Sequence, residues 1–401
     1  MALLRLPYTG RLLASTLIGR LPNAMAPTAV LMAAGQAGSL ADGGLLAAGY
    51  LVAFAVGQPL WGRLADRIGH LLPLLLCSSL AAAALTCLAL SGTSRLPLAM
   101  ALTVAAGLFN PALEGALRTL WPTVLPGPDA VRATYLRTAY ALDNATQESV
   151  YAVGPLLAGA LTALSPRAAL LATAAVGLAG AFSVGCSRPA RAWTPARGAR
   201  HWLGPLMSAP VRVLLATMFC AGAAVGALRV CAVAQAQDSG ALWLQGGLPA
   251  LLSLGGLVGG LLYGARAWPG THQQHITLLA FGCAVMWLPM LAAPSPPLAG
   301  LLVTLPGICF TTMLCVGCLM LNSLAPPGTG TEAFGWFIAA INAGLAVGSA
   351  LAGMSDGSYL VPLLAAVAAA LILSATHDTL SHPPRVRVRP PPKDHMDLGP
   401  C

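Results

Sequence analysis

The sequence predicts an all-α membrane protein with twelve transmembrane helices in two pseudo-symmetric halves of six. Composition is the first reason: 57% of the 401 residues are hydrophobic and only 8% are charged, against about 25% charged residues in soluble domains. The apolar runs are the second, because unbroken runs of about twenty residues suit membrane-crossing helices and exceed the alternating strands of a barrel. Similarity between the two halves of the chain is the third.

Twelve apolar stretches are drawn as spans 1 to 12 in chain order. They lie near residues 11–34, 42–61, 71–91, 97–118, 138–163, 168–186, 210–234, 243–264, 276–293, 298–322, 332–354 and 359–376. The first is too long for a signal peptide and contains Arg20, so we expect it to be retained. The predicted organisation is an N-terminal six-helix half (1–187), a cytoplasmic linker (188–209), a C-terminal six-helix half (210–377) and a disordered tail (378–401).

The basic residues predict the orientation of these spans. With the N-terminus inside, 17 of the 21 lysines and arginines fall on the inner side, two fall in outer loops and two lie within spans. Because inner loops collect positive charge, both termini are predicted to be cytoplasmic, in the plasma membrane. The net charge of +9 is spread between apolar runs and does not indicate nucleic-acid binding. The expected partners are the lipid bilayer, a small-molecule substrate and protons, and we expect a monomer.

Corresponding positions of the two halves are similar in sequence. Residues 152–159 of span 5 and 346–353 of span 11 are identical at six of eight positions. A Gly-Gly-Leu sequence opens span 2 at Gly43 and span 8 at Gly246. Such duplication is the usual construction of secondary transporters, so the sequence favours a transporter.

The turn between spans 2 and 3 is the most informative stretch of the chain. It reads Gly62-Arg63-Leu64-Ala65-Asp66-Arg67-Ile68-Gly69-His70. It resembles the loop that members of the major facilitator superfamily carry at this place, Gly-x-Leu-Ala-Asp-Arg-x-Gly-Arg, and the resemblance covers nearly the whole chain. The matching residues are Gly62, Leu64, Ala65, Asp66, Arg67 and Gly69, whereas His70 replaces the usual basic residue. The resemblance implies the major facilitator fold and transport by alternating access.

The same resemblance implies that this motif forms a cytoplasmic gate. Asp66 is expected to meet the first turn of span 11 near Thr331 and Glu332, where free amides and the helix dipole stabilise a carboxylate by about 0.3–1 kcal/mol per contact. Arg67 and Arg118 are candidate counter-ions for Asp66 or Glu332. The alternative is a solvated turn that carries only the positive charges of an inner loop.

A second pattern, in span 5, resembles the proton-coupled exporters of the superfamily, especially small actinobacterial drug-efflux members. Those proteins carry Gly-Pro-x-x-Gly-Gly. Here Gly154, Pro155 and Gly159 match, while Ala158 and the upstream Val150 depart from the pattern. The resemblance implies an antiporter that exports a small organic or drug-like molecule. The alternatives are an importer of a small metabolite and, more remotely, a receptor or scaffold without transport activity.

Charged residues within spans are candidate proton sites, because an ionised group at the centre of a membrane helix costs about 2.5–3.5 kcal/mol and usually faces a cavity or a partner. Arg20 in span 1 and Glu148 in span 5 lie at matching depths. We expect them to pair near the midplane, either as a proton relay or as a static ion pair. Asp143 and Glu114 lie nearer the inner ends, as second proton sites or, preferably, as polar contacts at the gate.

Residues that line a substrate cavity leave the weakest signal. In the family fold, spans 1, 4, 7 and 10 line the cavity, which makes Asn110, Arg229 and Phe310 candidates. The alternatives are that Phe310 faces lipid and that Asn110 forms a hydrogen bond between helices. Arg229 either attracts an anionic substrate group or pairs with Asp238. The chain has no glycine-rich phosphate loop followed by lysine, and its one lysine is Lys393. We therefore predict neither an enzyme nor a nucleotide-driven pump, and expect no cofactor and no metal.

Overall fold

The computed structural model describes residues 6, 8–36, 40–126, 128–194, 203–241, 243–266, 268–292 and 295–376. The predicted tail (378–401) and part of the predicted linker lie outside these ranges. Within the described ranges the regular structure is helical, with no strand. Two short 3-10 helices, Gly204–Met207 and Leu288–Ala292, accompany the α-helices.

The α-helices follow the chain in the order of the predicted spans. The N-terminal part contains α1 (Thr9–Gln36), α2 (Leu40–Ile68), α3 (Leu71–Ser91), α4 (Leu96–Leu108), α5 (Leu113–Val124), α6 (Asp129–Leu164), α7 (Pro166–Gly185) and the short α8 (Arg188–Ala192). The C-terminal part contains α9 (Ala209–Ser239), α10 (Leu244–Ala265), α11 (His272–Trp287), α12 (Pro296–Leu324), α13 (Gly330–Met354) and α14 (Leu360–Ala375).

Nine segments of the described chain are long and apolar enough to cross a membrane, by length and composition. One of them, Leu96–Val124, joins α4 and α5. The other three predicted spans are α1 and α6, which carry charged residues, and α14, which has 16 residues. The all-α, twelve-helix fold class is confirmed. Span 4 is not one continuous helix, because Pro111 has no amide to donate and disfavours helical backbone at Asn110.

Helix packing repeats between the two parts of the chain. In the first, α1 packs against α2, α6 and α7, and α3 packs against α4 and α7. In the second, α9 packs against α10, α13 and α14, and α11 packs against α12 and α14. These neighbours are equivalent when span 1 is matched with span 7, span 2 with span 8, and so on. The parts meet along two equivalent seams, α2 with α13 and α6 with α10. The residue boundaries of the two halves stay a prediction.

The α2–α13 seam is in backbone contact at the end where α2 turns into α3, called here the α2–α3 face. A Cβ atom on Gly62 would lie 2.6 Å from the carbonyl oxygen of Thr331, and one on Gly335 would lie 2.6 Å from that of Gln58. Small residues at a helix interface allow this close approach. The two halves are therefore closed against each other at the α2–α3 face.

Candidate functional site

A carboxylate of one half holds the first turn of a helix of the other half at the α2–α3 face. Asp66 is 2% exposed. Its Oδ1 accepts a hydrogen bond from the Thr331 amide at 3.0 Å, and its Oδ2 accepts one from the Glu332 amide at 2.8 Å. These amides begin α13, where they have no acceptor within the helix and the helix dipole is positive. The contact expected from the sequence is present.

Glu332 is itself paired across the same seam. The Arg63 Nη2 atom donates to Glu332 Oε1 at 2.5 Å. We call Asp66, Arg63, Thr331 and Glu332 the clasp. Both predicted counter-ions were wrong: in the described chain Arg67 is exposed without an ion pair, and Arg118 pairs elsewhere. Arg63 lies three residues before Asp66 and reaches Glu332, whereas Arg67 lies in the last turn of α2 with its side chain exposed.

The two glycines and the leucine of the motif, Gly62, Gly69 and Leu64, lie in different structural surroundings. Gly69 has a φ of 94°, in the left-handed region that favours glycine, and it ends α2 so that the chain can reverse into α3. Leu64 is half-buried. Gly62 permits the backbone contact with α13. The motif thus combines one carboxylate contact with two positions where a side chain would obstruct the turn or the seam.

His70, the residue that departs from the family pattern, is fully buried beside the clasp. Its Nε2 lies 3.3 Å from Thr119 Oγ1, which lies 3.4 Å from Thr331 Oγ1. The imidazole packs against the Trp193 ring just after α8, with centroids 4.4 Å apart. Burial lowers the pKa of His70 to about 4, so the ring is neutral at pH 7. Sequence reasoning missed this network, although the departure from the motif was its signal.

Both described ends of the predicted linker contact these groups. Trp193 covers His70 at one end. At the other end, a Cβ atom on Gly204 would lie 2.5 Å from the Glu332 carboxylate, and Gly204 has a φ of 52°. One described end of the linker therefore packs on His70 beside the clasp, and the other packs on Glu332 of the clasp.

A second polar cluster is buried among α1, α5 and α6. Asp143 accepts hydrogen bonds from Arg20 Nη1 at 2.6 Å and from Arg118 Nε at 2.9 Å. Arg118 also lies 3.7 Å from Glu114, and Arg20 Nη1 donates to Gln147 Oε1 at 3.0 Å. Two arginines and two carboxylates make the cluster formally neutral. The Asp143 carboxylate is paired with both arginines, as a buried charge requires, whereas Nε and Nη2 of Arg20 and Nε2 of Gln147 are buried without a hydrogen-bond partner among the described residues.

The predicted pair of Arg20 with Glu148 is wrong, because Arg20 binds Asp143 and Gln147 instead. Asp143 and Gln147 are four residues apart and share one face of α6, whereas Glu148 is rotated by about 100° from Gln147. Glu148 faces the other half, where Thr311 Oγ1 donates to its Oε1 at 3.3 Å. Matching depth along two helices did not determine which face each residue occupies.

Glu148 is, after Asp66, a second acid of the N-terminal half that contacts the C-terminal half. It is hydrogen-bonded by Thr311 of α12, and Ser253 of α10 and Arg229 of α9 are further polar neighbours. It forms no ion pair with any residue that the structure describes. The Arg229 side chain is exposed, as is Tyr151, one turn beyond Glu148, at 41%.

The sequence matches a known protein family. Residues 12–296 match the family model of the Major Facilitator Superfamily. The chain belongs to the Major Facilitator Superfamily. A search of curated proteins returns no match. Membrane transport is therefore the supported activity, and no curated relative refines it.

Solved structures share the superfamily fold over nearly the whole chain. The human organic anion transporter MFSD10 (TETRAN) is 17% identical with a TM-score of 0.69, covering 93% of this chain and 100% of its own. A bacterial homologue of the iron transporter ferroportin, in an outward-facing state, is 13% identical with a TM-score of 0.73, covering 93% and 100%. The transporter FucP, in the outward conformation, is 14% identical with a TM-score of 0.66, covering 92% and 98%. At these identities the likeness shows the fold alone.

The candidate cavity residues and the span 5 pattern of this superfamily member lie in different surroundings. Asn110 is buried within the N-terminal half at the break between α4 and α5, where its Nδ2 donates to the Tyr50 hydroxyl at 3.0 Å. It lines a small cavity together with Tyr50, and its place in a substrate cavity stays a prediction. Phe310 is half-buried against the largest apolar cluster. A Cβ atom on Gly154 would lie 2.6 Å from the Cβ atom of Ala24, so this glycine permits close packing of α1 with α6.

The other two residues of the span 5 pattern are less constrained. A Cβ atom on Gly159 would have its nearest neighbour, Met32, at 4.0 Å. Pro155 lies inside α6 and is half-buried. The packing thus accounts for one of the three matching residues.

Proposed function

We propose that this chain is a proton-coupled secondary transporter that exports a small organic molecule across the plasma membrane by alternating access. The clasp is the observation that carries the proposal. It joins the two halves at one face through a few directional contacts centred on Asp66. Alternating access needs a contact of this kind. The contact forms when one face closes and the other opens, and it must break again when the first face opens.

The distribution of basic residues supports a cytoplasmic position for the clasp. In that orientation the conformation is closed toward the cytoplasm. Two of the similar solved structures are described as outward-facing or outward. The gate comprises Gly62, Leu64, Asp66, Arg67 and Gly69 of the motif, with Glu332 as its partner and Arg63 replacing Arg118 as the cation.

Glu148 is the proton site in this proposal. Its hydrogen-bond partner Thr311 and its neighbour Ser253 are neutral and belong to the opposite half. Protonation removes a charge from between the halves, which lowers the cost of rearranging them. Asp143 is the less suitable acid, because two arginines hold it in its ionised form.

Export is the proposed direction because of the partial exporter pattern at Gly154, Pro155 and Gly159. Import is the second candidate, and Arg229 favours it. An anion bound to Arg229 would weaken the attraction between Arg229 and the Glu148 carboxylate. The neutral form of Glu148 would then be favoured, so that anion and proton bind together and an inward proton gradient drives uptake.

Transport into liposomes of defined pH tests the proposal. Fluorescent anions and cations are first screened for altered accumulation in an efflux-deficient bacterial host. The compound found is then offered to proteoliposomes with an acidic lumen, where an antiporter should accumulate it as protons leave. Glu148→Gln should abolish the dependence on the pH gradient. Asp238→Asn, an exposed acid at the end of α9, is the matched control.

Three results would contradict parts of the proposal. Movement of substrate and protons in the same direction excludes export by antiport and supports import. Full gradient dependence in Glu148→Gln excludes Glu148 as the proton site. No change in the accumulation of any compound, with the protein present in the membrane, excludes efflux of that class of molecules.

A further inference from the structure

The α6–α10 seam is the counterpart of the clasp in the internal repeat. Span 5 repeats as span 11 at an offset of 194 residues (152 to 346), and span 2 repeats as span 8 at an offset of 203 (43 to 246). By these offsets Thr138 corresponds to Glu332, and Arg266 corresponds to Arg63. Thr138 Oγ1 donates to the Gly264 carbonyl oxygen at 3.0 Å, so the corresponding helices meet at the corresponding place.

The charges of the clasp are not repeated at this seam. Its two acids have neutral counterparts, Pro269 and Thr138, and the position of Thr331 is held by Arg137. Arg137 belongs to the N-terminal half and Arg266 to the C-terminal half. Among the residues that the structure describes, neither arginine forms an ion pair. The second seam therefore brings two cations together where the first has two carboxylates and one cation.

The arginines are held in place by backbone and ring contacts at the end of α10. Arg137 Nη1 donates to the Arg266 carbonyl oxygen at 3.2 Å. The Arg266 Cζ atom lies 5.7 Å from the centre of the Trp268 ring. That ring stacks on Tyr263, with centroids 6.4 Å apart and planes inclined by 7°, and the Tyr263 hydroxyl lies 2.9 Å from His275 Nδ1. The cations are thus part of a built cluster and are not free surface side chains.

This cluster lies where a lipid-facing surface ends. Val258 and Leu262 are exposed on α10, one turn and two turns before Arg266 in reverse order, and Leu262 is 59% exposed. On a helix that is long and apolar enough to cross a membrane, exposed residues four apart form a strip on one face, which suits an acyl chain. Trp268, exposed at 43%, is of a type enriched at the level of the lipid headgroups. Arg266 is therefore at headgroup level.

We propose that one anionic phospholipid binds at the α6–α10 seam, with its phosphate between Arg137 and Arg266. Phosphate oxygens accept the parallel hydrogen bonds of a guanidinium, and basic pockets between membrane helices suit such headgroups. The acyl chain lies along the strip of Val258 and Leu262. Because the site holds two cations and no acid, it favours a lipid of net negative charge over a zwitterionic one. The lipid phosphate thus takes the place that carboxylates hold in the clasp.

The bound lipid has a consequence for the closed form. The turns that follow spans 2 and 8 lie on the same side of the membrane, because an even number of spans separates them. A phosphate bound by Arg137 and Arg266 therefore bridges the two halves at the face that the clasp also closes. A ligand that binds one form stabilises that form. The inference needs the membrane location and the repeat, and it does not depend on the proposed transport activity.

Native mass spectrometry of the delipidated full chain in detergent tests the site. Phosphatidylglycerol and phosphatidylcholine with the same acyl chains are titrated, and the affinity of the first bound lipid is measured. The wild type should bind phosphatidylglycerol about tenfold or more tightly than phosphatidylcholine. Arg137→Gln and Arg266→Gln should each weaken phosphatidylglycerol binding about fivefold and leave phosphatidylcholine binding unchanged.

Arg212→Gln is the matched control. Arg212 is an exposed arginine near the start of α9, and its Nη1 also donates to one backbone carbonyl, that of Leu206, at 3.3 Å. Its removal should leave phosphatidylglycerol binding unchanged. Thr138→Glu gives a second readout, because it puts a carboxylate at the counterpart of Glu332, within the pair of arginines. This carboxylate should compete with the lipid phosphate and weaken phosphatidylglycerol binding.

Two further arms complete the test. Arg266→Lys keeps the charge and should keep most of the preference for phosphatidylglycerol, so this variant and Thr138→Glu remain informative if a glutamine variant fails to fold. Excess inorganic phosphate or glycerol 3-phosphate should not displace the lipid, since neither has an acyl chain. Displacement by either would assign the arginines to a soluble anion and overturn the lipid proposal.

Three other results would also overturn it. They are equal affinity for the two lipids in the wild type, equal loss in Arg212→Gln and Arg266→Gln, and unchanged phosphatidylglycerol binding in Thr138→Glu. These outcomes are separate from failure of the proposed function, because lipid binding in detergent requires no transport. Lipid preference without proton-linked flux in liposomes would refute the transport proposal and leave the lipid site intact.

Discussion

Replacing Gly62 by alanine tests whether backbone contact closes the α2–α3 face. The new Cβ atom would lie 2.6 Å from the Thr331 carbonyl oxygen and 2.9 Å from the Glu332 Cα atom. Both neighbours are backbone atoms, so rotation of a side chain cannot relieve the overlap. The helices must move apart by several tenths of an ångström, which also stretches the hydrogen bonds to Asp66.

Overpacking of this kind costs about 1–3 kcal/mol. If the cost applies to the closed face alone, the open form gains by roughly 5- to 150-fold. Hydrogen–deuterium exchange measures this directly, because the amides of Thr331 and Glu332 are the donors to Asp66. A peptide that covers the start of α13 should therefore exchange faster in Gly62→Ala than in the wild type.

Gly44→Ala is the matched control on the same helix, since a Cβ atom there has no neighbour within 4 Å. It should leave exchange at the start of α13 unchanged. Exchange at the wild-type rate in Gly62→Ala, or equal acceleration in both variants, would refute the reasoning that close packing at Gly62 holds this face shut.

Three further predictions concern the surroundings of the clasp. Burial lowers the pKa of His70 from 6.5 to about 4. The neutral ring therefore stabilises the closed face fully above pH 6.5, and this stabilisation is lost by about 1.4 kcal/mol per pH unit as the pH falls toward 4. Hydrogen–deuterium exchange at the start of α13, corrected for intrinsic rates, should accelerate over this range in the wild type but not in His70→Gln. Asp143→Asn should lower the free energy of unfolding by about 3–5 kcal/mol, measured by thermal or denaturant unfolding, and adding Arg20→Gln should restore part of it; equal stability of Asp143→Asn and wild type would contradict this. Gly204→Ala should accelerate hydrogen–deuterium exchange at the start of α13, because its Cβ atom would lie 2.5 Å from the Glu332 carboxylate. Gly240→Ala controls for backbone strain alone, since Gly240 has a φ of 70° and no neighbour within 4 Å of an added Cβ atom. This control should leave exchange at the start of α13 unchanged.

The clasp was the part of the site that the sequence predicted best. Gly62, Asp66 and Gly69 have residue types fixed by local geometry: a close backbone approach, an anion at a helix start and a left-handed turn. Each requirement leaves a mark at one position of the sequence. The partner region at Thr331 followed only from the family resemblance, because nothing within the turn specifies which helix it meets.

The pairing of charged residues was harder to predict, because it depends on helix rotation. Arg20 and Glu148 have compatible charges and depths, but Asp143 occupies the face of α6 that Arg20 reaches. Arg118 was a candidate counter-ion for Asp66 or Glu332, yet it points into the bundle toward Asp143. An error of one residue in rotation changes the facing direction by about 100°, and composition alone gives no register that precise.

The balance of forces in the clasp suits a contact that must open and close. Hydrogen bonds to the buried Asp66 carboxylate contribute about 1.5–3 kcal/mol each. The pair of Arg63 with Glu332 contributes less, because the arginine side chain is 31% exposed and water screens it. A fully ionic, buried clasp such as the cluster around Asp143 would cost several kcal/mol to separate.

His70 keeps charge out of the clasp, since a neutral imidazole fills the place where the family has a basic residue. Closed and open forms that differ by only a few kcal/mol can then exchange, and a proton or a bound ligand can shift the equilibrium between them.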